Sequence, residues 1–166
     1  YEKARINEKV ATKYDLKKFK YPIFNNVLPQ IDIFMDNGYS KEEMKMINET
    51  RKILKKPDLN VTATCARVPI FNSHAESINV EFKNDFDIEE LIKLLKNAKG
   101  IKVIDDIKNE RYPLSTNTTG TNDIYVGRIR RDNSVKYGIN MWVVADNIRK
   151  GAATNAIQIL EKLMEL

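Results

Sequence analysis

Apolar and polar positions along the chain repeat with two periods, and the changes of period mark its elements. Met44, Ile47, Arg51 and Leu54 recur at helical spacing behind Ser40. Ser40 and Glu43 stand in S-x-x-E order, in which the hydroxyl takes a first-turn N–H and the carboxylate reaches back. A helix is therefore expected from Ser40 to about Leu54, with Pro57 just beyond its end. Residues 61–71 are rich in β-branched side chains and read as a strand; residues 76–82 alternate polar and apolar and read as a second. Asp87-Ile88-Glu89-Glu90 opens a helix to about Ala98, with Ile88, Leu91, Ile92 and Leu95 inward and Gly100 as its stop. Residues 101–104 form a short strand and 109–122 a polar loop. Residues 124–130 and 136–144 form two strands joined through Asp132-Asn133-Ser134. Residues 147–165 make the last helix, with Ala152, Ala156, Ile159, Leu160 and Leu163 as its apolar stripe. Before Ser40 the pattern is irregular: Pro22 and Pro29 oppose regular structure, and Asn37-Gly38 signals a turn. This order predicts an α+β fold whose mixed, largely antiparallel sheet is covered by helices.

Composition narrows the chemistry. With 166 residues, 42% of them hydrophobic, the chain can bury a core, which excludes wholesale disorder. One Cys excludes an intramolecular disulfide, and one Cys with one His excludes a Cys/His zinc finger, so no metal site is expected. The net charge of +5 gathers in Lys3, Arg5, Lys9, Lys13, Lys17, Lys18 and Lys20. Glu2, Glu8 and Asp15 interrupt that run, so it reads as a solvated lead-in rather than a nucleic-acid arm. A small anionic substrate suits a mildly basic chain better. No apolar run approaches the roughly 18 residues of a membrane-spanning helix, and residues 1–20 hold no apolar signal core. Together with the lone Cys, this predicts a cytoplasmic setting without nucleic-acid or membrane partners. The six glycines match neither dinucleotide nor triphosphate loop spacing.

The sole Cys and the sole His stand close together, at Cys65 and His74. One reading is a nucleophile–base pair. The other is a packed thiol and a structural imidazole, and periodicity favours it for Cys65. On strand geometry Cys65 and Arg67 share a face, about 7 Å apart. Arg67 is the odder residue, since a guanidinium fork in an apolar strand calls for a carboxylate or phosphate. Glu42 and Lys45 are three apart in the first turns of the Ser40 helix. They read either as a surface ion pair or as a polar pair aimed at an anionic ligand.

Five blocks, in order, resemble the C-terminal catalytic domain of the aspartate-semialdehyde dehydrogenase family. They are Tyr21-Pro22-Ile23 with Asn26-Val27-Leu28-Pro29-Gln30-Ile31-Asp32; Asn37-Gly38-Tyr39-Ser40-Lys41-Glu42-Glu43-Met44-Lys45 running on to Leu54; and Thr64-Cys65-Ala66-Arg67-Val68-Pro69 with Ser73-His74-Ala75-Glu76-Ser77. Val126-Gly127-Arg128-Ile129-Arg130 and Asn140-Met141-Trp142 through Ala153 complete the set. The resemblance covers the chain from about Tyr21 to its end; residues 1–20 match poorly. It implies a glyceraldehyde-phosphate-dehydrogenase-like C-terminal domain. A substrate-binding and dimerisation domain would span 21–146, and a C-terminal helix, 147–166, would pack on a cofactor domain that this chain lacks.

The family's activity is the NADPH-dependent reductive dephosphorylation of L-aspartyl 4-phosphate to L-aspartate 4-semialdehyde, a step toward lysine, threonine and methionine. By resemblance His74 is the general acid/base, suited by an imidazole that exchanges protons near neutral pH. Arg67 matches the arginine that forks the substrate carboxylate, Glu42 the acidic residue holding the substrate, and Lys45 the phosphate-binding lysine. Asn147 matches a position near the nicotinamide of NADP. The family's nucleophile lies in an Asn-Cys-Ser/Thr segment that this chain does not contain, and Cys65 matches a different cysteine. The resemblance thus implies part of a homodimeric enzyme, inactive alone. The rival reading is a stand-alone dimerisation or small-anion-binding module.

Overall fold

The computed structural model describes residues 19–165, so most of the lysine-rich lead-in lies outside the described residues. The chain divides into two compact units, one ending at Pro69 and the other beginning at Ile70.

The first unit is built on one helix, α1 (Lys41–Ile53). The expected capping box is formed: Ser40 Oγ accepts the Glu43 N–H at 3.3 Å, and Glu43 Oε2 accepts the Ser40 N–H at 2.7 Å. Glu42 and Glu43 in the first turn and Arg51 and Lys52 in the last complement the helix dipole. Ahead of α1 the chain doubles back through a turn in which Gly38, at φ +82°, donates its N–H to the Met35 carbonyl. Ile47 is the buried apolar residue of α1, while Leu54 at the expected inner position is exposed.

Residues 61–71 do not form a strand. The only ladder contact of this stretch is an isolated antiparallel bridge, Leu28 with Arg67. The composition is β-branched, but a strand needs a continuous neighbour. The opposing segment holds Pro22 and Pro29, and a proline offers no N–H to a ladder. The 7 Å strand spacing of Cys65 and Arg67 therefore does not apply.

The second unit is a four-stranded sheet in the order β1-β4-β3-β2, made of β1 (His74–Glu81), β2 (Ile101–Val103), β3 (Ile124–Asp132) and β4 (Gly138–Ala145). β4 pairs antiparallel with β1 and β3, and β2 pairs parallel with β3, giving the mixed, largely antiparallel sheet that was expected. Val80, Ile139, Met141, Val143 and Val126 share one face by register. Leu91, Ile92 and Leu95 of α2 (Ile88–Asn97) pack on the core formed by Val126, Ile129 and Ile139. Asp87 caps α2, accepting the Glu89 and Glu90 N–H groups. The other face carries Ala75, Ser77 and Asn79, all exposed.

β3 is broken by a bulge between Gly127 and Arg130, where Arg128 takes φ +53°. The Asp105 carboxylate accepts both the Arg128 and Ile129 N–H groups at 2.9 Å, which satisfies the unladdered backbone. A Cβ at Gly127 would overlap the Ile104 carbonyl oxygen and Pro113, so only glycine fits there. The loop across residues 109–122 contains one short helix, α3 (Ser115–Thr118), that was not expected. The last helix also differs from expectation. It starts as a π-helical turn, Arg149–Ala153, and becomes α-helical, as α4, over Thr154–Met164. Gly151, Ala153 and Thr154 donate five residues back, to Asp146, Ile148 and Arg149.

Candidate functional site

The site residues fall into two groups, one in each unit. In the first unit, α1 presents Glu42 and Lys45 one turn apart. Lys45 Nζ lies 3.5 Å from Glu42 Oε1, with the lysine side chain 54% and the glutamate 34% exposed. An ion pair this open contributes little to stability. It presents a cation and a carboxylate side by side in the first turns of α1.

Arg67 belongs to a strap without regular structure, pinned at two points. Arg67 N–H donates to the Leu28 carbonyl at 2.8 Å, and the Leu28 N–H to the Arg67 carbonyl at 3.0 Å. Two residues earlier, the Cys65 N–H donates to Glu43 Oε1 at 2.8 Å. The Arg67 guanidinium stands 5.4 Å from the centre of the Phe19 ring, a cation–π distance that orients it without consuming its fork of donors.

Glu43 thus divides its carboxylate between the helix cap and the strap. It is only 7% exposed. The N–H bonds from Cys65 and then Ser40 hold its carboxyl below the ordinary carboxylate value, against the opposing effect of burial. The sequence marks Glu43 as a cap residue. Its second bond, 22 positions away, has no local signal. Cys65 itself is buried, with Sγ 3.3 Å from Met46 Sδ, a packed setting unlike the electropositive, open surroundings of a reactive thiolate.

In the second unit, His74 opens β1 opposite Ala145 and is exposed. The residue before it, Ser73, is buried and takes φ +77°, an uncommon conformation for a side chain with a Cβ. Its bonds include three that hold it. Asn147 Oδ1 accepts the Ser73 N–H at 2.9 Å, Ser73 Oγ meets Thr118 Oγ1 at 3.0 Å, and Ser73 Oγ donates to the Ser115 carbonyl at 3.3 Å. His74 and Asn147, far apart in sequence, are therefore linked through one backbone N–H.

Asp146 underlies this arrangement and was not singled out in the sequence. It is 2% exposed. Oδ1 accepts the Ile148 and Arg149 N–H groups at 2.8 and 2.9 Å, and Oδ2 accepts the Gly120 N–H at 2.8 Å and Asn72 Nδ2 at 3.3 Å. The Gly120 and Arg149 N–H bonds lead in holding its carboxyl below the ordinary range. An Asp three residues ahead of a helical turn is a local signal that could have found it. Among the described residues, no three His, Cys, Asp or Glu side chains are grouped to hold a metal ion.

Comparison with known proteins bears on both groups. The family described as semialdehyde dehydrogenase, dimerisation domain, matches residues 6–150. An aspartate-semialdehyde dehydrogenase of Campylobacter jejuni is 50% identical over 92% of this chain and 44% of its own length. Among solved structures, aspartate semialdehyde dehydrogenase II from Vibrio cholerae, complexed with ASA, superposes with a TM-score of 0.88 at 44% identity. The match covers 98% of this chain and 48% of that one. Aspartate semialdehyde dehydrogenase with NADP from Candida albicans gives a TM-score of 0.61 at 25% identity, over 76% of this chain and 40% of that one. The chain spans about half the length of the curated relatives it matches.

Proposed function

The chain belongs to the semialdehyde dehydrogenase family through its dimerisation domain, and from that premise we propose that it is the substrate-binding and dimerisation half of an aspartate-semialdehyde dehydrogenase. The reaction would be the NADPH-dependent conversion of L-aspartyl 4-phosphate to L-aspartate 4-semialdehyde and phosphate. The observation that carries this reading is 50% identity sustained over 92% of the chain with an enzyme of that name. The family's description implies a second copy of the chain as partner, and the exposed β1 residues Ala75, Ser77 and Asn79 are available to one. The lone buried Cys65 fits a reducing cytoplasm.

In this reading Arg67 grips the substrate carboxylate through its planar fork, which a lysine cannot reproduce. Glu42 pairs with the substrate's ammonium group, and Lys45 neutralises phosphate. His74, exposed at the head of β1, gives and takes the proton at the reacting carbonyl oxygen. NADP would supply the hydride. Asn147 suits a place beside its carboxamide: Oδ1 is occupied by Ser73, and its amide nitrogen makes no hydrogen bond among the described residues. The chain contributes no glycine-rich phosphate loop and no Asn-Cys-Ser/Thr nucleophile. Alone it therefore binds substrate without turning it over.

Titration calorimetry of the chain with L-aspartate 4-semialdehyde tests this. Saturable binding is expected, weakened on the order of tenfold by Arg67→Lys. No binding, or binding indifferent to Arg67→Lys, would favour the module reading without a substrate site.

A further inference from the structure

Within the first unit, the three residues assigned to substrate come from two pieces of chain with no shared secondary structure. Glu42 and Lys45 ride on α1; Arg67 rides on the irregular strap. A strap of this kind has no ladder to fix its register, so its position depends on the few groups that hold it. Its holds include the backbone pair of Arg67 with Leu28, the Tyr39 hydroxyl on Thr62 Oγ1 at 3.2 Å, the Cys65 N–H on Glu43 Oε1 at 2.8 Å, and Cys65 Sγ against Met46 Sδ at 3.3 Å. The Cys65 N–H and thiol both reach α1, and the N–H bond to the Glu43 carboxylate is the charge-assisted one. Glu43 adjoins Glu42 in sequence, and its other oxygen closes the α1 cap, so the group that holds the strap is itself held in the helix frame.

We propose that Glu43 is a positioning residue for substrate recognition: its carboxylate sets the Arg67 strap at a fixed place relative to the α1 turn carrying Glu42 and Lys45. The inference rests on the reading that these three residues bind the substrate. Glu43 does not touch substrate; both its oxygens are spent on backbone N–H groups. A displacement of the strap by about 1 Å is enough to unmake a bidentate fork, and geometry lost at that scale costs large factors in recognition. Glu43→Gln places an amide donor where one of two N–H donors now points, so one hold is lost while shape is conserved. Glu43→Asp keeps the charge but withdraws the carboxylate by one methylene, out of reach of Cys65.

The test uses the intact chain, with affinity for L-aspartate 4-semialdehyde measured by calorimetry well below the unfolding temperature. Ile47→Val serves as a control that loosens α1 packing without touching these hydrogen bonds. Both Glu43 variants are expected to stay folded by circular dichroism and to bind about tenfold more weakly or worse, as lost bonds to a charged group imply. Ile47→Val should lose stability but keep wild-type affinity. Adding Arg67→Lys to Glu43→Gln should weaken binding by less than the product of the single effects, because the fork is already misplaced. Wild-type affinity in a folded Glu43→Gln chain would overturn the positioning role alone. Equal affinity loss in Ile47→Val would overturn it too, by showing that general loosening suffices, as would unfolding of both Glu43 variants. No binding by the unaltered chain would sink the substrate assignment itself, and the positioning role with it.

Discussion

The part of the chain ending at Pro69 and the part beginning at Ile70 are held together by different means. The second has a sheet, a helix laid on it, and an apolar core in Val126, Ile129 and Ile139. The first buries Ile47 and Cys65 beside Ser40 and Glu43, and much of its order runs through one carboxylate. Apolar burial is indifferent to pH and tolerant of small shifts, whereas a carboxylate clamp is directional and titratable. The first unit also carries Arg67, Glu42 and Lys45, so the substrate recognition we propose falls in the more conditional half. The second unit also uses carboxylate clamps, at Asp105 under the β3 bulge and at Asp146, where the backbone near His74 must hold an unfavourable φ.

This contrast can be broken, beginning with the largest effect. Ile139 is completely buried at the centre of the sheet, and Ile139→Ala should destabilise the second unit by about 2–5 kcal/mol in a denaturant titration. Hydrogen exchange of the Cys65 amide in the first unit should change far less; equal change in both would mean that the two parts unfold as one. Next is Ser40→Ala, which removes only the cap hydroxyl and should cost about 1 kcal/mol, read as faster exchange in the first turn of α1.

The acid response sharpens the comparison further. The carboxyls of Glu43 and Asp146 are both held below their ordinary values by backbone N–H bonds. A group depressed in the folded state adds stability that is complete above its unfolded pKa and is lost as pH falls through the folded one. Lowering pH from 7 toward 3 should therefore release the Cys65 amide in the first unit and the Gly120 amide in the second. Glu43→Gln should flatten the first response and leave the second unchanged. The smallest stability effect belongs to Lys45→Met: its ion pair is exposed, so unfolding should shift by no more than about 0.5 kcal/mol. Phosphate affinity should nonetheless fall, and a variant that loses stability but not affinity would make Lys45 structural.

Much of this was legible in residues. The S-x-x-E pair announced α1 and its first turn, because capping is local chemistry. The stripe Leu91, Ile92, Leu95 announced the helix on the sheet, because burial is periodic. What was misread depended on partners. Residues 61–71 carry strand composition and lack a strand neighbour, so they form a strap. The π turn at Arg149–Ala153 comes just after Asp146, whose bonds to Gly120 and Asn72 join positions 26 and 74 residues away. The candidate site residues are proposed from resemblance. How Glu43 serves Arg67 was not legible, since the bond is made by a backbone N–H that every residue but proline carries.

The most direct test of the central claim is activity in a complete enzyme context. The aligned segment of the Campylobacter jejuni relative would be replaced by this chain, and NADP⁺ reduction measured on adding L-aspartate 4-semialdehyde and phosphate. Phosphate-dependent reduction is expected, which His74→Ala lowers severely while the chimera stays folded. A folded, dimeric chimera without that activity, or one indifferent to His74→Ala, would contradict it.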